Sequence, residues 1–233
     1  MVQQFFSVYE EVLQREGISP CNIYNVDESS LTTVQTPVKV FAQTGKKQVG
    51  SLTSAERGVH VTAVCCMGPS GFVPPMLIYP RKNWKKKLTD GAPLGTIGVA
   101  QETGWMTGEI FVQWLKHFYS FVKPSLQNKV ILLLDGHASH KNVEAIGYAK
   151  ENGIILICLP AHCTHRLQPL DVSFYGPLKT YYDQEVTKWL KCNPGRTVSQ
   201  YQICPLFAKA YGKAATIAIA ESGFEHNLLD FGL

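Results

Sequence analysis

The chain has 233 residues, 45% of them hydrophobic and 17% charged, with a formal net charge of +4. That length carries one substantial domain with its own core, alone or with appendages, and the composition is ordinary for a soluble globular protein. Its apolar runs, around Val130–Leu134 and Ile154–Leu159, are far too short to span a bilayer. The N-terminus carries acidic residues and lacks the basic-then-apolar layout of a secretory leader. Seven cysteines, an odd number without framework spacing, suit free thiols in a reducing compartment. The expectation is an intracellular protein whose modest positive charge permits nucleic-acid binding without requiring it.

Val2, Phe5, Phe6, Tyr9, Val12 and Leu13 form a helical stripe that Gly17 and Ser19-Pro20 end. CNIYNVDES then reads as a short strand finishing at Asp27, followed by the polar, basic loop FAQTGKKQVGSLTSAERG. HVTAVCCMG and GFVPPMLIYP are β-rich runs joined at Pro69-Ser70-Gly71, a predicted hairpin. Cys65 and Cys66 would face opposite sides of it, and Pro74-Pro75 would put part of the second run on an edge or a bulge. RKNWKKKLTDGAPLG reads as a loop.

From Thr107, a good N-cap, to Val122, apolar residues recur at helical spacing until Pro124 stops them. VILLLDGH is a buried strand without alternation, as in a parallel sheet. Asn142–Asn152 reads as a short helix capped by Gly153, and IILICLP as a second buried strand with Cys158 in the core. Helical signals resume after Gln168 and again over Gln200–Glu221. Pro169 suits a first helical turn, which brings Asp171 near the positive end of that helix. Gly176-Pro177 should kink or restart it. Strand, hairpin, helix, strand, helix, strand, helix predicts an α/β protein: a ribonuclease H-like mixed sheet flanked by helices. Its expected parts are an N-terminal helix (1–20), a core (21–195) and a C-terminal helical extension (196–233).

Asp27 and Asp135 each end a buried apolar run, where a lone carboxylate is costly without a cation or partner. Asp171 opens a helix that can reach over them. Three converging aspartates suit two divalent ions held roughly 3.5–4 Å apart for phosphodiester cleavage, and Mg²⁺ prefers such oxygen ligands. Taken singly, each aspartate is more simply a turn or cap residue; their shared context distinguishes them. Glu28 points away from Asp27 on an extended strand, which makes it a supporting group and not a ligand. His137 falls on the face of Asp135 and is a candidate contact for phosphate or metal-bound water. His165, with His162, would line the rim.

Two basic segments are candidate phosphate contacts: Lys46, Lys47 and Arg57 in one loop, and Arg81, Lys82, Lys85, Lys86 and Lys87 around Trp84 in another. A solvated surface loop explains the second equally well and the first slightly better. Cys158, His162, Cys163 and His165 match no common structural zinc spacing.

At these residues the chain resembles the DDE-superfamily transposase domains of the pogo and Tigger type, including the jerky-like and centromere-protein-B-like proteins. The resemblance rests on NVDES (25–29), VTAVCCMGPSGFVPPMLIYP (61–80), WMTGEIFVQWLKHF (105–118), ILLLDGHASH (131–140) and IILICLPAHCTHRLQPLDVSFYGPLKTYY (154–182). It implies a Mg²⁺ or Mn²⁺ triad of Asp27, Asp135 and Asp171, ancestral DNA strand cleavage and transfer, and a nuclear protein derived from a transposable element. The family places helix-turn-helix modules before the catalytic domain, and this chain starts shortly before Asp27. End recognition is then expected from a second copy or a separate DNA-targeting protein, with no membrane involved. The alternative is a catalytically idle, domesticated DNA- or chromatin-binding scaffold.

Overall fold

The computed structural model describes residues 2–34, 58–160 and 163–225; the side chains of Thr164 and His165 also lie outside that description. Among these residues six strands form one mixed sheet in the order β4-β3-β2-β1-β5-β6. They are β1 (Ile23–Thr32), β2 (His60–Gly68), β3 (Gly71–Pro80), β4 (Ile97–Gln101), β5 (Val130–Leu134) and β6 (Ile154–Cys158). The helices are α1 (Val2–Glu16), α2 (Gly108–Val122), α3 (Val143–Glu151), α4 (Thr164–Leu167), α5 (Tyr175–Cys192), α6 (Gln200–Ala214) and α7 (Ile217–Phe224). A π turn, Leu170–Phe174, runs straight into α5.

β1 pairs antiparallel with β2 and parallel with β5, so the sheet changes character at β1. Two cores lie on its two faces. Ile23, Leu31, Cys65 and Met67 pack with α1 and α5–α7, whereas Val26, Val64 and Cys66 pack with α2 and α3. The alternation of β1 and β2 residues between cores is the period-2 geometry of a strand. It places Cys65 and Cys66 on opposite sides, as expected. α2 is the clearest helix. Thr107 accepts the Ile110 N–H at 3.3 Å, and Phe111, Trp114, Leu115 and Phe118 are wholly buried along one stripe. Gly153 closes α3 with φ +72°, and a Cβ there would strike the Ser125 carbonyl, so the cap requires glycine.

The structure differs from the sequence expectations at several points. β1 does not finish at Asp27; it continues to Thr32, because Ser29 and Leu31 still pair with Ala63 and Val61 of β2. The loop expected before α2 contains a short 3₁₀ turn, Lys86–Thr89, and the edge strand β4 beyond it. Trp84 packs over Gly98 of β4, where no side chain would fit. β3 is interior, and the register against β2 shifts opposite Pro74-Pro75; of the two options for those prolines the bulge is the one adopted. Cys158 is exposed rather than core, since β6 is an edge strand and the residue ends it. Gly176-Pro177 lies in the first turn of α5, and the irregularity falls just upstream in the π turn. Proline lacks the N–H that a regular turn would donate to Ser173.

Candidate active site

Asp27 stands opposite Cys65 of β2, on the face covered by α5–α7. On its other side, the β1–β5 ladder sets Ile23 opposite Ile131 and Asn25 opposite Leu133, then stops. Continued by two residues on each strand, that register leads to Asp27 and Asp135, just past the last paired residues. Both carboxylates therefore sit where β1 and β5 part. Such a parting, beyond the carboxyl ends of parallel strands, is where open α/β sheets hold ligands.

Asp171 is brought to the same end by the π turn. Asn25, wholly buried, donates to the Leu133 carbonyl at 3.2 Å and accepts the Leu170 N–H at 3.0 Å. One side chain thus ties β1, β5 and the residue before Asp171. The Tyr175 hydroxyl adds a bond to the Asp27 carbonyl at 2.7 Å. Burial, then the negative charges of Glu28 and Asp171, push the Asp27 carboxyl up to about 8. The Glu28 backbone N–H and the Gln168 side chain pull the other way without offsetting this.

Asp135 has a different environment. Its Oδ1 lies 2.9 Å from His140 Nδ1 and accepts the His137 backbone N–H at 3.0 Å. The His140 bond holds this carboxyl below the usual range. The far nitrogen of the same ring, Nε2, stands 3.4 Å from Glu28 Oε1. That distance is long for a hydrogen bond, and neither atom has another partner among the described residues, so the contact is an ion pair. The His140 side chain is only 1% exposed, with the Phe111 ring 4.5 Å away. Burial alone would lower its pKa; the Asp135 and Glu28 carboxylates outweigh that and raise it to about 10. The ring is therefore an imidazolium at neutral pH.

Glu28 does point away from Asp27, toward the α2 side of the sheet, where His140 meets it. His137 is exposed and bonds the Ser139 hydroxyl at 2.8 Å. The side chain of His165, and Lys46, Lys47 and Arg57, lie outside the described residues. Arg81, Lys82 and Lys85 line a cavity of about 720 Å³ together with Thr33, Ser199 and Tyr201. Lys86 and Lys87 are exposed on the 3₁₀ turn. The Tyr201 ring lies 5.9 Å from the Arg81 guanidinium. A neighbouring hollow of about 400 Å³ runs past His60 and Thr103 to Trp105, which is 67% exposed. Both openings are lined by the end of β3 at Pro80 and by residues near the end of β1, Thr33 in one and Ser30 in the other.

Sequence reasoning missed Asn25, Gln168 and the placement of His140. Asn25 is a polar residue inside an apolar strand, a signal that was available. His140 carries no periodic signal, because a 3₁₀ turn (Ala138–Lys141) returns it beneath Asp135.

The donor set fits a hard divalent ion. All three candidates are carboxylates, and Asp27 stands in a concentration of negative charge that a cation would relieve. Among the described residues no three His, Cys, Asp or Glu side chains form a ready-made ligand cluster.

Residues 58–225 match the family model of the DDE superfamily endonucleases, a span that contains Asp135 and Asp171 and begins after Asp27. The chain is 21% identical over 185 residues to the "Pogo transposable element with ZNF domain" of Homo sapiens, covering 79% of this chain and 13% of that protein. It is 26% identical over 208 residues to the "MFS-type transporter clz9" of Cochliobolus lunatus, covering 87% and 22% respectively. The chain thus spans less than a quarter of either relative. Among the described residues no single helix is long and apolar enough to cross a membrane.

In structure it is similar to the Mos1 strand transfer complex, with a TM-score of 0.62 at 13% identity over 96% of this chain and 56% of that one. It is also similar to the mariner Mos1 paired-end complex with Mg, with a TM-score of 0.54 at 15% identity over 96% and 60%. These likenesses establish the transposase-type, ribonuclease H-like fold. The chain belongs to the DDE superfamily endonuclease family.

Proposed function

We propose that this chain is a transposase-derived, metal-dependent DNA endonuclease and strand-transfer domain. In this reading Asp27, Asp135 and Asp171 hold two Mg²⁺ or Mn²⁺ ions. The observation that carries it is the joint placement of Asp27 and Asp135 where β1 and β5 part, with Asn25 fixing the start of the Asp171 segment over them. The raised carboxyl of Asp27, caused by burial and by Glu28 and Asp171 beside it, supports a functional role for this position. Bound divalent ions supply Lewis acidity at a phosphodiester and stabilise the leaving oxygen.

The chain's own residues do the rest. Asp27 and Asp171 lie near enough for the charge of one to act on the other, and Asn25 and Tyr175 hold their backbones in place. Arg81, Lys82 and Lys85 offer cations to a phosphate backbone, and Trp105 offers a face for a base. The Mos1 complexes support this reading, one being a paired-end complex with left transposon end. In this reading the place of action is the nucleus.

Labelled duplex DNA incubated with the protein and Mg²⁺ or Mn²⁺ tests it. Metal-dependent nicking that disappears in Asp135→Ala is expected. If wild type and variant behave alike, the chain is the idle DNA- or chromatin-binding scaffold instead.

A further inference from the structure

We propose that His140 and Glu28 form a positioning pair that fixes which oxygen of Asp135 is offered to a divalent ion; the inference rests on the metal-binding reading above. Both described contacts of the Asp135 carboxylate, from the His140 ring at 2.9 Å and the His137 backbone at 3.0 Å, fall on the same atom, Oδ1. A carboxylate held twice through one oxygen cannot spin about its Cβ–Cγ bond without breaking both contacts. Its Oδ2 is thereby aimed by the protein, and Asp135 acts as a one-oxygen ligand.

The ring that does the holding is itself held. His140 lies under Phe111 in the wall between the sheet and α2, almost without solvent. Its second nitrogen is directed at Glu28, the neighbour of Asp27 in β1. The ring thus touches the Asp135 carboxylate with one nitrogen and the Glu28 carboxylate with the other. Contact with both sets the ring between β1 and the β5 end. Glu28, which the strand geometry turns away from Asp27, then acts on the site through His140, joining the two acid-bearing strands from behind. Partners of this kind, one bond behind a metal ligand, typically change metal affinity 10- to 100-fold when removed.

The test is Mn²⁺ binding to the full chain, by calorimetry and by the electron paramagnetic resonance signal of free Mn²⁺, with no DNA present. Asp135→Asn sets the scale for loss of the ligand. His140→Ala is expected to weaken Mn²⁺ binding roughly 10- to 100-fold, and Glu28→Ala to weaken it in the same direction. Glu28→Gln, which keeps the shape but not the charge of the ion pair, should fall between Glu28→Ala and the wild type. His140→Asn, retaining one donor, should recover part of the loss. Circular dichroism establishes that each variant is folded; should His140→Ala unfold, the contrast between Glu28→Ala and Glu28→Gln carries the test, since Glu28 is partly exposed. If Asp135→Asn binds weakly while both alanine variants bind within twofold of the wild type, the positioning role is overturned and the metal-site reading stands. If the wild type itself binds no Mn²⁺, both are overturned.

Discussion

Asn25 and Leu170, 145 positions apart, are joined by a buried hydrogen bond of 3.0 Å from the Leu170 N–H to the Asn25 side-chain oxygen. The same side chain donates to Leu133 of β5. One asparagine thereby sets the spacing of the three segments that carry Asp27, Asp135 and Asp171. Asn25→Leu keeps the volume and removes both bonds, leaving a buried N–H and a buried carbonyl without partners. The expected cost is about 2–6 kcal/mol, from ~1–3 for each of the two orphaned groups, read as a lower urea midpoint at unchanged slope.

Asp27 makes stability depend on pH in an unusual direction. Its carboxyl is raised from 3.8 to about 8, so between those values the folded chain keeps a proton that the unfolded chain has lost. Stability must then fall as pH rises through that window. Thermal unfolding in EDTA should show a melting temperature declining from pH 5 to pH 8.5, and Asp27→Asn should flatten that part of the profile. Added Mg²⁺ should restore wild-type stability chiefly at the alkaline end, where the carboxylate is ionised.

Glu185 works the other way, far from the site. This buried carboxylate of α5 meets Lys213 of α6 at 2.6 Å and Lys188 at 2.9 Å, and they hold its pKa down at about 2. Its contribution is fully present above about 4.5 and is lost as pH falls through about 2. Both lysines are substantially exposed, which limits the effect to about 1 kcal/mol. Glu185→Gln should be less stable than wild type at pH 7, with the difference closing in acid, as measured by denaturant unfolding at each pH.

The cavity formed by Arg81, Lys82 and Lys85 predicts a salt signature. If these side chains meet phosphates, Arg81→Ala or Lys85→Ala should weaken DNA binding alike on unrelated sequences. Each should also reduce the slope of log affinity against log salt by about one. Fluorescence anisotropy between 50 and 200 mM salt, a range in which phosphate contacts dominate, measures this.

Much of this was legible in the sequence because the sheet is built from strong local signals. The apolar run before Asp135 and the Thr107-capped stripe of α2 permit few other structures. β4 was not legible: IGVAQ is short, half-buried throughout and contains Gly98, whose missing side chain makes room for Trp84. That same Trp84, read as a loop aromatic, is a packing residue with 39% of its surface left exposed. The candidate carboxylates could be named because each follows or interrupts an apolar run, although only Asp135 stands at a strand end. The group that holds one of them could not, since His140 reaches Asp135 through a 3₁₀ turn and meets Glu28 only once the sheet has formed.

The most direct test of the account is a crystal of this chain soaked in Mn²⁺, with anomalous diffraction collected at the manganese edge. The account predicts anomalous density enclosed by carboxylate oxygens of Asp27, Asp135 and Asp171. Three carboxylates lying more than about 10 Å apart, beyond the reach of ions spaced as a two-metal site requires, with no manganese between them, would contradict it.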